Sequence, residues 1–312
     1  RLDPSSRLQV SYHLGWCDAD GKPTEGGGGK AVRPALALLS AEAAGASAAV
    51  GIPGAVGVEL VHNFSLLHDD LMDGDLERRH RRTVWAIWGA PAAILAGDAL
   101  LALAHEIVLE SPSPHAGRAA LLLATTTREL TRGQVQDVAF ESRSDVTLDE
   151  CLDMAGGKTG ALLAASAAIG AVLAGAPDEA VDALTTFGSQ VGLAFQLVDD
   201  VLGIWGDPSV TGKPVYNDLR SRKKSLPVTY ALGSADHGAE LKEWLAAPDQ
   251  PDDDAVRHAA DLVASAGGRD WALAEARRRM LLAEQALTSV DINPQARTGM
   301  FALAQFIVDR DS

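Results

Sequence analysis

The sequence predicts an all-α fold, and two observations carry that prediction. Of the 312 residues, 47% are hydrophobic but only 5% are aromatic, which is the aliphatic, alanine-rich composition that suits packed helices. Apolar residues recur at helical spacing along most of the chain, whereas sustained alternation of β-branched residues is absent from the sequence. We therefore expect one all-α domain over residues 1–312.

Each predicted helix ends at a cluster of glycine, proline or serine. The predicted helices are 34–45, 50–72, 91–110, 115–140, 147–175, 178–205, 222–233, 237–247, 252–266, 269–289 and 294–310. Residues 1–28 are predicted to form an N-terminal tail or a short helix. The run Ala161–Ala176 has sixteen uncharged residues, which is fewer than the ~20 that a membrane span needs. We expect it to be a buried helix, and we expect no stable membrane insertion.

Charge and cysteine content narrow the classes of function. A net charge of −15 at pH 7 argues against nucleic-acid binding, which needs a basic face. Cys17 and Cys151 have no metal-binding spacing, so we expect buried, unpaired thiols in a reducing compartment. These features predict a cytoplasmic protein without a nucleic-acid partner.

The first of two acidic clusters is Asp69–Asp73, which follows the apolar run Val58–Leu67. A carboxylate among apolar residues is costly to desolvate unless a cation compensates it. On an α-helix one polar stripe holds His62, Ser65, Asp69 and Asp73. Such a stripe faces enclosed water or a ligand, and acids one turn apart can share a hard cation such as Mg²⁺.

The second acidic cluster, Asp199-Asp200, follows the apolar segment Gly192–Val198. Gln196 and Asp200 are four residues apart and share a helix face, and Gly203 leaves room beside them. Two acidic clusters on separate apolar helices suggest a shared cavity that collects divalent metal.

Cationic residues occur in five further places: Lys30 with Arg33, the run Arg78–Arg82, Lys158, Lys213, and Lys223 with Lys224. Taken alone, such residues are usually solvated surface charges. Close to acidic metal-binding clusters they suit phosphate oxygens. Lys158 lies within Gly156–Gly160, whose glycines predict a kink in helix 147–175. Acids, cations and an apolar helical interior together predict a ligand with a diphosphate head and a hydrocarbon tail.

The motifs, taken in order, resemble those of the trans-isoprenyl diphosphate synthases of the polyprenyl synthetase family. The matching segments are 28–34, 69–73, 78–79, 158–159, 195–200, 212–213 and 223–227. The resemblance implies the isoprenoid synthase fold, with about a dozen helices around a deep central cavity, as a homodimer. It also implies head-to-tail condensation of isopentenyl diphosphate with an allylic diphosphate, most simply to the C20 product geranylgeranyl diphosphate.

The resemblance also implies roles for individual residues. Mg²⁺, as three ions that arrive with the diphosphate, would be bound by Asp69, Asp73 and Asp199, with support from Asp70 and Asp200. The allylic diphosphate would be held by Arg78, Lys158 and Lys213. Isopentenyl diphosphate would be held by Lys30, Arg33, His62 and Arg79. The reacting centre or the diphosphate pocket would be lined by Thr159, Gln196 and Lys223. The depth of the chain pocket would depend on Phe64 and Ser65.

The sequence departs from the family pattern at two positions. Ala31 stands where a basic residue is frequent, and Gly203 replaces the third aspartate of the second motif. Asp207 would lie near the same face as Gly203 if the helix continued past Gly206. Three alternatives stay open: a farnesyl or longer-chain synthase, a class I terpene cyclase, and a non-catalytic partner subunit of a prenyl synthase.

Overall fold

A computed structural model describes residues 1–24, 29, 31–207 and 215–308, and it confirms the all-α fold class. The helices before the second acidic motif are α1 (Pro4–His13), α2 (Val32–Ala43), α3 (Ala48–Met72), α4 (Val84–Trp88), α5 (Ala90–Leu109), α6 (Ala116–Ser142), α7 (Leu148–Ala155) and α8 (Ala161–Ala174). The remaining helices are α9 (Asp178–Trp205), α10 (Asn217–Arg220), α11 (Leu226–Leu232), α12 (Gly238–Ala246), α13 (Asp253–Ser265), α14 (Gly268–Thr288) and α15 (Pro294–Val308).

The helical spacing located the long helices to within about two residues at most ends, and the short helix predicted within residues 1–28 is α1. Three features were missed: the short helices α4 and α10, and a pair of two-residue strands. The pair β1 (Glu77–Arg78) and β2 (Arg81–Arg82) is antiparallel, and α4 follows it. The prediction of helix from residue 222 was wrong at its start. Arg222 has a left-handed backbone, and α11 begins only after the N-cap Ser225.

The described contacts divide the chain into two compact units. Unit 1 consists of Arg1–Thr127, Ala165–Val181 and Ile292–Gly299. Unit 2 consists of Arg128–Ala164, Asp182–Asp291 and Met300–Ser312. The expectation of one domain stays a prediction.

Close helix packing in unit 1 depends on three glycines of α3 at successive spacings of three. A Cβ at Gly54 would lie 2.8 Å from Ile169 Cγ2, and one at Gly57 would lie 2.7 Å from Val108 Cγ2. A Cβ at Gly51 would lie 2.7 Å from a backbone oxygen of α2. Because these positions carry no side chain, neighbouring helices approach the α3 backbone and fix the helix that ends in the first acidic motif.

In unit 2 the predicted kink at Gly156–Gly160 is a single π-helical turn between α7 and α8. Such turns occur often at functional sites. A Cβ at Gly133 of α6 would lie 2.9 Å from Lys158 Cα, and one at Gly192 of α9 would lie 2.7 Å from Gly160 Cα. Neighbouring helices therefore pack against the backbone of the π turn and fix the position of Lys158.

Three described helices are long and apolar enough to cross a membrane by length and composition: Ala48–Met72, Ala90–Leu109 and Leu148–Ala174. The last runs through the π turn and is therefore longer than the uncharged run considered in the sequence. Its most apolar window is 78% buried within the protein, against 39% for that of Ala90–Leu109. The absence of stable membrane insertion stays a prediction.

The two cysteines are buried and unpaired, as predicted. The Cys151 thiol donates to the Lys224 carbonyl oxygen at 3.0 Å. Burial raises its pKa to about 12, which makes this thiol unreactive at neutral pH.

Replacement of two glycines of α6 by alanine is expected to change the free energy of unfolding in opposite directions. Gly133→Ala places a methyl group against the Lys158 backbone and is expected to lower the free energy of unfolding by about 1–3 kcal/mol. Gly117 has no atom within 4 Å of an added Cβ, so Gly117→Ala is expected to raise the free energy of unfolding by about 0.5–1 kcal/mol. Chemical denaturation measures both, and changes of equal sign and size would contradict the packing described for the π turn.

Candidate active site

The two adjacent aspartates of the first motif point in different directions. Asp70 is only 1% exposed, and its Oδ1 accepts a hydrogen bond from Arg78 Nε at 2.6 Å. Burial raises the pKa of Asp70, an effect that Arg78 partly offsets. Asp69 is half-buried and Asp73, the C-cap of α3, is exposed. The outward acids are therefore the ones that solvent or a ligand can reach.

Arg79 lies in the tight turn between β1 and β2. Both turn residues, Arg79 and His80, have left-handed backbones with φ of 53° and 61°, which is unusual for residues with a side chain. Helix α1 holds the strand pair, because Tyr12 Oη donates to the Arg82 carbonyl oxygen at 2.8 Å. The Arg81 guanidinium also stacks 4.2 Å above the Tyr12 ring.

Unit 1 brings the guanidinium groups of Arg33 and Arg79 close enough to interact. A Cβ at Gly29 would lie 2.9 Å from a guanidinium nitrogen of Arg79, so Gly29 and Arg79 are in contact. The Arg33 Nε is buried without a hydrogen-bond partner among the described residues. Burial lowers the pKa of Arg33 to about 10, with Glu59 opposing and Arg79 adding to the effect. This arrangement favours a bound anion.

His62 belongs to the same group. Burial, and then the charges of Arg33 and Arg79, lower its pKa well below the usual value. His13 of α1 joins the group and was missed in the sequence, because no motif marks it. Burial and then Arg78 and Arg79 lower its pKa to about 4. Both imidazoles are therefore neutral at pH 7, and each can accept a proton or donate a hydrogen bond when an anion binds.

The second motif repeats the division between inward and outward acids. Asp200 is 4% exposed, whereas Asp199 is exposed. Asp200 accepts hydrogen bonds from Gln196 Nε2 and from the Leu226 backbone N–H, both at 2.9 Å, which confirms that Gln196 and Asp200 share a face. Burial raises the pKa of Asp200 to about 6, an effect that Lys223 opposes.

Thr159 extends this network, because its hydroxyl donates to Gln196 Oε1 at 2.8 Å. The predicted kink thus brings Thr159 against the second motif within unit 2. Its neighbour Lys158 pairs with Asp137 at 2.5 Å. Asp137 was not identified from the sequence, since it lies on the long helix α6 without a motif around it.

Three cations assigned to substrate by resemblance are paired with carboxylates of the protein. These are Arg78 with Asp70, Lys158 with Asp137, and Lys223, which lies 3.9 Å from Asp200 and 4.0 Å from Asp218. Burial opposes the charge of Lys223, but Asp200 and Asp218 outweigh it and raise the pKa of the amine. The substrate-binding roles of these three cations stay predictions. An ion pair with a protein carboxylate fixes the direction of a cation before a substrate anion binds.

Two predicted site residues, Lys30 and Lys213, lie outside the described residues. Phe64 is described: its ring packs edge-to-face on His68 with centroids 4.9 Å apart, beside the unit 1 core that contains Leu67 and Leu100. Ser65 is buried and donates to the His62 carbonyl oxygen at 2.9 Å.

The acidic residues fit a hard divalent cation that is bound together with a ligand. Among the described residues no three or more Asp, Glu, His or Cys side chains form a preformed metal site. The motifs nonetheless offer carboxylate oxygens, the ligands that Mg²⁺ prefers, and Asp70 Oδ2 is buried without a hydrogen-bond partner. In unit 1, Asp69 and Asp73 would hold Mg²⁺ and diphosphate oxygens would complete its coordination. A metal-binding role for Asp199 of unit 2 stays a prediction.

Comparisons with known proteins identify the family to which the chain belongs. The family model described as polyprenyl synthetase matches residues 22–263. The whole chain is 56% identical to a (2E,6E)-farnesyl diphosphate synthase of Mycobacterium tuberculosis, and the match covers 88% of that protein. The chain belongs to the polyprenyl synthetase family. It is a prenyltransferase of that family.

Solved structures show the same fold. The crystal structure of a polyprenyl synthetase from Streptomyces coelicolor superposes with a TM-score of 0.94 at 53% identity, covering 99% of this chain and 93% of that one. A geranylgeranyl pyrophosphate synthase from Corynebacterium glutamicum, complexed with isoprenyl diphosphate and magnesium, gives a TM-score of 0.84 at 25% identity, covering 96% and 90%. The isoprenoid synthase fold predicted from the motifs is confirmed.

The neighbouring cations of unit 1 lead us to expect that a substitution at Arg33 raises the free energy of unfolding and weakens anion binding. Arg33→Met removes a charge that burial disfavours more than Glu59 supports it, so we expect the free energy of unfolding to rise by about 1 kcal/mol. We expect the affinity for inorganic pyrophosphate, measured by calorimetry, to fall at least tenfold, a loss of about 1.4 kcal/mol. Arg82→Met is the control, because Arg82 is an exposed arginine of strand β2 in the same unit. It should change neither the free energy of unfolding nor the affinity for pyrophosphate. A destabilised Arg33→Met that binds pyrophosphate normally would contradict this assignment.

Proposed function

We propose that this protein is a Mg²⁺-dependent synthase that condenses isopentenyl diphosphate head-to-tail with an allylic diphosphate. The observation that carries the proposal is the cation group of unit 1, in which Arg33, His62 and Arg79 crowd together with a buried, unpartnered Nε. It lies in the same compact unit as the acidic motif Asp69–Asp73. A site for one diphosphate thus accompanies a site for metal ions and a second diphosphate.

The proposed reaction needs binding and charge neutralisation rather than a protein nucleophile. Arg33, His62 and Arg79, with Lys30, hold isopentenyl diphosphate by charge-assisted hydrogen bonds. The allylic diphosphate takes the place of protein carboxylates at Arg78, Lys158 and Lys223, and Lys213 is a further cation for it. Mg²⁺, when bound, neutralises charge that develops on the leaving diphosphate. Aliphatic walls shield the allylic cation from water. The double bond of isopentenyl diphosphate adds to this cation, and the cationic adduct then loses a proton to the released diphosphate to give the product.

Two alternatives are less well supported. A class I terpene cyclase would not need a second anion site, which Arg33, His62 and Arg79 supply. A non-catalytic partner subunit would be expected to have lost acids or cations, whereas both motifs keep their paired aspartates. Magnesium in the related Corynebacterium glutamicum structure supports the same metal here.

For product length we propose the C20 product, geranylgeranyl diphosphate, on the basis of the aromatic residue Phe64 before an uninterrupted first motif, Asp69–Asp73. Ser65 is buried and hydrogen-bonded to the backbone of its own helix, and Phe64 packs on His68 beside the core of unit 1. The C15 product, farnesyl diphosphate, is the second candidate, because the Mycobacterium tuberculosis relative at 56% identity bears that name.

We also propose a cytoplasmic homodimer. Helix α5 exposes several large apolar side chains, among them Ile94, Leu95 and Leu109 at 44%, 62% and 57% exposure. A second copy of the chain would remove these side chains from water, which supports the dimer. The cytoplasmic location is an expectation from composition alone.

The experiment is an elongation assay with product sizing. Purified protein is incubated with Mg²⁺, labelled isopentenyl diphosphate and, separately, the C5, C10 and C15 allylic diphosphates. We expect elongation that stops at C20 and that a chelator abolishes. Termination at C15 would favour the second candidate for product length. Cyclised hydrocarbon without use of isopentenyl diphosphate would identify a cyclase, and no product from any primer would refute the proposal.

A further inference from the structure

The chain that follows α9 returns to that helix beside Gly203. The Tyr216 backbone N–H donates to the Ile204 carbonyl oxygen at 3.0 Å, and the short helix Asn217–Arg220 follows. Tyr216 and Arg222, on either side of that helix, have left-handed backbones with φ of 63° and 53°. Such backbones cost free energy in residues with side chains, so the surrounding contacts must hold the short helix in place.

The carboxylate of Asp218 fills the space beside Gly203. A Cβ built on Gly203 would lie 2.6 Å from Asp218 Cγ and 2.9 Å from Asp218 Oδ1, and closer still to Oδ2. The Asp218 side chain is only 12% exposed. No side chain fits at position 203 while the Asp218 carboxylate stays where it is. This steric limit explains why residue 203 is a glycine.

Asp218 also flanks the ammonium group of Lys223. Its Oδ2 lies 4.0 Å from Lys223 Nζ, and Asp200 Oδ1 lies 3.9 Å from the same nitrogen. The Lys223 backbone N–H donates to the Asp218 carbonyl oxygen at 2.8 Å. The ammonium thus lies near two largely buried carboxylates, while 40% of the lysine side chain stays exposed. Attraction at this range restrains the direction of the amine.

We propose that Asp218 is a positioning residue for Lys223. Its carboxylate provides, from a different segment of the chain, the acidic group that the family pattern carries at position 203. Together with Asp200 it holds the Lys223 amine ready for a diphosphate, so this inference rests on the proposed function. Asp207 does not take that place, because α9 ends at Trp205 and Asp207 lines a separate cleft with Val198.

The test is a set of variants that move the carboxylate between the two positions. Asp218→Asn keeps the shape and removes the charge, and we expect kcat/KM for the allylic diphosphate to fall 10- to 100-fold. The KM for isopentenyl diphosphate should stay within twofold, which a general structural defect would not allow. Gly203→Asp forces a second carboxylate into filled space, and we expect a similar fall together with a lower Tm.

The double variant Gly203→Asp/Asp218→Gly places the single carboxylate on α9. We expect it to recover at least tenfold of the kcat/KM that Gly203→Asp loses, and to recover its Tm, because neighbouring substitutions are not additive. Asp207→Asn is the matched control and should stay within twofold of the wild type. The control also decides between Asp207 and Asp218 as the substitute for the missing aspartate.

Two outcomes would overturn the inference: wild-type kcat/KM in Asp218→Asn, or a double variant no better than Gly203→Asp alone. If Asp218→Asn fails to fold by circular dichroism, the comparison of Gly203→Asp with the double variant decides. If the wild-type chain elongates no primer, the proposed function fails, and the role of Asp218 in positioning Lys223 fails with it. A Tm that falls in Gly203→Asp and recovers in the double variant would still establish the contact between the two positions.

Discussion

Both acidic motifs depend on one constraint, which is that each contains a buried carboxylate bound by another residue of the protein. In each pair one aspartate points inward, Asp70 in the first and Asp200 in the second, and both are almost fully buried. A buried carboxylate is stable only with hydrogen-bond or charge partners. Arg78 binds one oxygen of Asp70, whose other oxygen is buried without a partner, and the Leu226 N–H helps to bind Asp200. The adjacent aspartate then faces outward.

This division gives the cations two different roles. Arg78, Lys158 and Lys223 are oriented by carboxylates of the protein, and a diphosphate with more charge can compete for them. The group around Arg33 and Arg79 is different, because burial disfavours the charge of Arg33 more than Glu59 supports it. An anion that binds there adds a charge partner for this guanidinium.

Helical spacing was sufficient to predict the long helices and the face shared by Gln196 and Asp200, because both depend on local geometry. The π turn could be anticipated as a kink from its glycines. The partners of the motif residues could not be predicted, since Asp137 and Asp218 approach Lys158 and Lys223 through tertiary packing. Gly203 shows the limit most clearly: the sequence presents it as a missing aspartate, whereas the structure shows a position with no room for a side chain.

The most direct test of this account compares the two aspartates of one motif in their dependence on Mg²⁺. For Asp199→Asn we expect the Mg²⁺ concentration at half-maximal elongation rate to rise at least tenfold, with the free energy of unfolding unchanged within about 0.5 kcal/mol. For Asp200→Asn we expect unfolding to become easier by about 1–3 kcal/mol, with the Mg²⁺ dependence within twofold of the wild type. The reverse pattern, in which the inward aspartate controls Mg²⁺ and the outward one controls stability, would contradict the account.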